Sequence, residues 1–196
     1  MASPVSIGGH RSTNPTNRSE GDVWKGLVAG LIGGLVASWT MNRFQDLWIK
    51  LSANDGSTTV QSSEHSSDLK EKKPATDNNE EQDDTTVKAA AAISEGIFDH
   101  KLTEGEKKIA GPAVHYALGT GVGGLYGAVA EVVPEVTTGT GLPFGAAFWL
   151  VVDETAVPVL GLSKPPTAYP VSTHAYALAS HLVYGFTAEL VRRALR

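Results

Sequence analysis

"GLVAGLIGGLVASWTM", Gly26–Met41, decides how this chain folds. The run holds no charge and no regular polar face, and Lys25 and Arg43 bracket it. A soluble helix would show polar residues at a 3.6-residue period and would lose about 1 kcal/mol for each interior glycine. A membrane helix needs ~20 predominantly apolar residues, a length this run approaches when its flanking cations snorkel to the interfaces. Trp24, Trp39 and Trp48 suit those interfaces. Residues 23–51 therefore read as a transmembrane helix with its flank.

Three further apolar segments follow: Ile109–Val133, Leu142–Leu162 and the C-terminal stretch from Tyr169. Together the four predict an all-α, polytopic membrane protein with about four transmembrane helices. In the second segment Pro112 is expected in the first helical turn and Pro134 near the helix end. Just upstream, Thr103 and Glu106 have capping-box spacing, which predicts a short helix ahead of the span. Pro165 and Pro166 stop the third segment, and residues 103–196 form a three-helix membrane region.

The remaining sequence differs in kind. Residues 52–86 carry nine acidic and three basic side chains, with only Ala53, Val60, Leu69 and Ala75 as apolar residues. Such a stretch cannot bury enough apolar surface to offset its ordering entropy, so a disordered acidic linker is expected after the first helix. It accounts for the formal net charge of −5, and no basic patch suggests a nucleic-acid partner. Residues 1–22 lack the apolar core of a secretory signal and read as a flexible tail. Residues 87–102 place Ile93, Ile97 and Phe98 on one stripe, fitting either an interfacial helix or one packed on its own protein.

Gly26, Gly30 and Gly34 recur every four residues in the first segment, as do Gly119, Gly123 and Gly127 in the second. Each triplet lines one helix face and leaves a groove for a neighbouring backbone. The two grooves are expected to pack together or to drive self-association. "GTGVGG" (119–124) lacks the lysine and preceding strand of a phosphate loop.

Asp153 and Glu154 interrupt the third segment, Asp153 ten residues beyond Pro143 and so ~15 Å along a helix, near mid-bilayer. Charges there cost at least ~2.5 kcal/mol each and are paired or face a cavity. Pro158 removes the N–H that would bond the Glu154 carbonyl, predicting a kink and a free acceptor at the acids. The pair is either a functional site or a polar clamp that sets helix register. His174 and His181, seven apart, share a face ~10.5 Å apart along the axis and cannot chelate one metal from a straight helix. His115 and Glu131 bracket the second segment, ~24 Å apart. These six residues form the candidate intramembrane polar site. No metal-ligand spacing, catalytic elbow or dinucleotide fingerprint appears, and no cysteine is present. No metal, cofactor or enzymatic activity is therefore assigned. Glu189 precedes Arg192 and Arg193 by three and four residues, an ion-pairing arrangement expected at the interfacial end of the last helix.

"GLVAGLIGG" (26–34), "LYGAVAEVVP" (125–134), "GLSKPP" (161–166) and "SHLVYGFTAELVRRALR" (180–196) resemble the YagU-like family of bacterial inner-membrane proteins. The resemblance covers the first span and roughly residues 110–196. It implies a multi-pass protein of the bacterial cytoplasmic membrane, in which Glu131, Pro134, His181, Glu189, Arg192 and Arg193 match recurring polar and turn positions. It implies no enzymatic role, and "VVDETAVP" (151–158) does not match the family pattern, so Asp153 and Glu154 rest on the physical argument. Counts of flanking Lys and Arg tie between the two orientations; the basic N-terminal flank of the first helix favours cytoplasmic termini. Three function classes follow, of which a membrane enzyme is the least favoured because no catalytic constellation is visible; two carry the reading. One is handling of protons or a small solute through the buried carboxyl and histidine groups. The other is a non-catalytic scaffold or accessory subunit that binds partner helices or its own copies through the glycine faces.

Overall fold

The computed structural model describes residues 15–54 and 85–196. Regular structure among them is entirely helical. It comprises α1 (Pro15–Asn54), α2 (Thr85–Phe98), α3 (Glu104–Val132), α4 (Leu142–Val151), α5 (Val157–Val159) and α6 (Val171–Leu195). A π-helical turn, Val152–Ala156, joins α4 to α5.

Two expected boundaries move. α1 begins at Pro15, within the stretch read as a tail, because proline is pre-organised for a first helical turn and a long helix propagates cheaply from its nucleus. Residues 52–54 and 85–86, assigned to the linker, belong to α1 and α2; the acidic residues 55–84 lie outside the described residues.

α1, α3 and α6 form the centre, with α3 and α6 both antiparallel to α1. The glycine faces of α1 and α3 meet directly. A Cβ added at Gly26, Gly30 or Gly34 would overlap the carbonyl oxygen of Gly127, Gly123 or Gly119 in turn. α6 crosses α1 where Gly33 meets the Ala188 backbone, and α4 crosses α6 where Gly141 and Gly145 meet Gly185 and His181. Gly141 also has φ +79°, which L side chains avoid. The second seam was not anticipated: Gly141 and Gly145 are four residues apart, but as a single pair and not a triplet.

The buried core combines small and aromatic residues, Ala37, Met41, Tyr126, Tyr184 and Ala188 among them, with polar ones. Ser38, Gln45, Ser180, His181, Glu189 and Arg192 are buried, whereas Trp24, Ile32, Leu35 and Trp39 of α1 face outward. Among the described residues, two helices are by length and composition apolar enough to cross a membrane, Asp22–Ser52 and Leu142–Val159. α3 and α6 are 29 and 25 residues long, but glycine, tyrosine and histidine dilute their hydropathy.

The Thr103 cap has both halves of the capping box. It starts a single helix that incorporates the span, so Pro112 lies inside α3 and not in its first turn. The Thr103 N–H donates to Glu106 Oε2 at 2.7 Å and its hydroxyl at 2.8 Å. These bonds, with His100 beside them, lower the Glu106 carboxyl from an ordinary 4.5 to about 2. A lowered folded value means the contribution is complete above 4.5 and is lost as pH falls toward 2. Amide protection over residues 104–106 is expected to fall through that window, and to be low already at neutral pH in Thr103→Ala. Protection independent of pH would show that the carboxylate does not hold the cap.

α2 packs on α3, with Thr86 and Val87 against Gly111. Its other side leaves Ile93, Ile97 and Phe98 exposed, so the helix is packed on its own protein and still presents the predicted apolar stripe.

Candidate functional site

Pro158 cannot supply an N–H to the turn before it, and the chain answers with a wider winding. In the π turn Val152–Ala156 the Val157 N–H bonds the Val152 carbonyl. The Thr155 hydroxyl donates to the Leu150 carbonyl at 2.9 Å. The sequence predicted an interrupted backbone ladder at Pro158; a π turn stands there, a feature that bends helices as proline does, and α-helical winding resumes in α5. π turns of this kind recur at functional sites because they re-aim side chains.

The π turn directs both carboxylates toward α6. His174 Nδ1 lies 2.6 Å from Glu154 Oε1, and its Nε2 lies 3.0 Å from the Pro166 carbonyl. Deeper in the bundle, His181 Nδ1 donates to the Ala177 carbonyl at 3.0 Å and lies 3.6 Å from Asp153 Oδ2. Adjacent acids thus reach histidines two turns apart, because α4 and α6 run antiparallel. Phe148 meets the His181 ring edge-on at 5.1 Å and fixes its tilt.

Two cavities adjoin these pairs. An outer one of about 110 Å³ is lined by Glu154, Ser163, Lys164, Tyr169 and His174. An inner one of about 80 Å³ is lined by His115, His181, Ser38, Phe148 and Tyr184. Thr85, Asp153 and Val157 line both. In the wall of the inner cavity the Tyr184 hydroxyl bonds the Gly119 carbonyl, and Phe144 stacks on Tyr126 at 4.0 Å.

Of the six residues assigned to one polar site, five gather around these cavities. Glu131 does not. It sits at the opposite end of the bundle, where Arg196 binds it at 2.8 and 2.6 Å and Arg192 at 3.4 Å. The assignment failed because position along α3 says nothing about which end of α6 lies alongside. Glu189 anchors the same distant cluster. It is fully buried and accepts from Tyr126 (2.8 Å), from Arg192 (2.8 and 3.0 Å) and from Arg193. Its ion pairs with Arg192 and Arg193 have the predicted spacing and lie at the C-terminal end of α6, where the Glu189 and Arg192 side chains are buried and Arg193 is half-exposed. Residues missed from the sequence are Pro166, whose carbonyl orients His174, and Tyr184. The prolines of "GLSKPP" were the available signal for Pro166; Tyr184 had none.

Residues 88–190 match the model of a family described as "Protein of unknown function (DUF1440)". The chain belongs to this family. Neither curated proteins nor solved structures provide a match. The matched region contains Asp153, Glu154, all three site histidines and Glu189, while α1 and the three C-terminal arginines lie outside it.

Proposed function

We propose that this is a four-span protein of the bacterial cytoplasmic membrane, similar to the YagU-like proteins, with α1, α3, α4–α5 and α6 as its crossings. It handles protons or another small solute through Asp153, Glu154, His174 and His181, without enzymatic turnover. The observation that carries this reading is the pair of adjacent acids on a π turn, each facing a histidine and bordering a cavity. Intramembrane ionisable groups are costly and mark solute or proton pathways by default. The outward apolar and inward polar residues support immersion in lipid. The termini are assigned to the cytoplasmic side, which puts the outer cavity, at the Lys164 end, on the opposite face.

The protein is expected to stay with membranes through a carbonate wash. In liposomes it should then support proton or solute flux that the double variant Asp153→Asn/Glu154→Gln reduces. Extraction as a monodisperse protein without detergent would reject the membrane assignment. Unchanged flux in the double variant would reject the site. The scaffold reading has one observation in its favour, the broad outward face of α1 around Ile32, Leu35 and Trp39. The glycine faces it first invoked are occupied within the chain, so partners or a second copy would have to use that outer face.

A further inference from the structure

The hydrogen-bond directions at His174 limit what this site can exchange. The Pro166 carbonyl only accepts, so His174 Nε2 carries a hydrogen. The 2.6 Å contact between Nδ1 and Glu154 Oε1 needs a second hydrogen between the two atoms. Whether that hydrogen resides on nitrogen or oxygen, the unit is neutral overall. At His181 the Ala177 carbonyl requires Nδ1–H, and Asp153 faces the same nitrogen. Glu154 is thus matched to an imidazole by the protein itself, and Asp153 Oδ2 lies 3.6 Å from the nitrogen of a second. Among the described residues no three His, Asp or Glu side chains converge to hold a metal ion.

From this arrangement, and resting on the functional reading above, we infer that the exchanged species is the proton and that Asp153 hands it between the outer and inner cavities. Thr85, Asp153 and Val157 are the residues common to both cavities, and only Asp153 among them titrates. A hydronium in the outer cavity gives its proton to the Asp153 carboxylate, forming an O–H bond and leaving water. That bond breaks when the proton passes to water entering the inner cavity, forming hydronium there and restoring the carboxylate. Glu154 and His174 line the outer side and relay protons toward Asp153. The other titratable groups facing the route are His115 from α3, Lys164 and Tyr169 from the α5–α6 connection, and Tyr176, His181 and Tyr184 from α6. α1 contributes Ser38 and Met41, and α2 contributes Thr85, Thr86 and Ala89; none of these titrates.

The test is time-resolved infrared spectroscopy on the full chain in lipid nanodiscs, with protons released from a photolabile acid. A protonated-carboxyl band is expected to rise after the flash. It should be absent in Asp153→Asn and retained in Glu154→Gln, where it rises several-fold more slowly. Asp153→Glu should restore a shifted band, which separates loss of the carboxyl from loss of the fold. An unchanged rise in Glu154→Gln, or a band that survives Asp153→Asn, would overturn the hand-over role. Displacement of the band at constant pH by added sodium or magnesium would assign the site to a metal cation and overturn the proton inference. In that case flux sensitive to the double variant would still support the broader reading; flux insensitive to it would remove that reading separately.

Discussion

Glu189→Ala is expected to destabilise the folded chain by about 3–5 kcal/mol, the cost of breaking a buried ion pair from one side. Glu189 is fully buried and is the common acceptor for Arg192, Arg193 and the Tyr126 hydroxyl. Removing it leaves the half-exposed Arg193 free to turn toward solvent. Arg192 cannot follow, because its side chain is nine-tenths buried and its one other acid, Glu131, is already held by Arg196. The Tyr126 hydroxyl is also left without its acceptor. Arg192→Met on its own should cost less, since Arg193 and Tyr126 still serve Glu189. The double substitution Glu189→Leu/Arg192→Met should recover part of the loss, because it removes both charges and returns apolar volume. Unfolding in mixed detergent micelles, run as a double-mutant cycle, measures each quantity. A loss below about 1 kcal/mol for Glu189→Ala would mean that the cluster behaves as a surface ion pair.

This cluster also marks the limit of what the sequence discloses. The spacing of Glu189, Arg192 and Arg193 is a local helical property, legible from three residues. The burial of Glu189 and Arg192 depends on α3 bringing Tyr126 and Glu131 alongside; α1 adds Asp22, whose carboxylate lies 3.8 Å from Arg196. The Thr103 capping box was legible for the same reason that those spacings were: both partners lie within one turn. Pro112 was misplaced because a local rule for proline took no account of a helix already started upstream by that cap. At the candidate site the cost of two acids in an apolar run was visible, and so was the conflict that Pro158 creates. The pairing of Glu154 with His174 and Asp153 with His181 was not, because it is set by the antiparallel register of α4 and α6. That register in turn follows from the contact of Gly141 and Gly145 with α6, a seam marked in the sequence by only one pair of glycines four residues apart. Long-range register was therefore the missing quantity throughout, while helix existence and face composition were readable.

The same register makes the glycines the most sensitive positions after the buried charges. Gly123→Leu is expected to cost about 3 kcal/mol or more, at the upper end of overpacking penalties, because neither side of the contact can yield. A Cβ at Gly123 would meet the Gly34 backbone and the Gly30 carbonyl oxygen, and relief requires moving α1 as a body. Such a shift would also disturb the Tyr184 bond to Gly119 and the wall of the inner cavity, so the damage should reach Asp153. Gly124→Leu is expected to be milder, since the added atom meets the flexible ends of Leu31 and Leu27. Gly121→Leu is the control: nothing lies within 4 Å of its added Cβ. Leucine there exchanges a poor helix former for a good one on an outward face, so it should be neutral or slightly stabilising. Thermal unfolding of the three variants in one detergent gives the ranking, and the carboxyl infrared band of Asp153 reports whether the cavity is intact. Equal losses at Gly121 and Gly123 would show that the glycines serve chain flexibility and not the contact between α1 and α3.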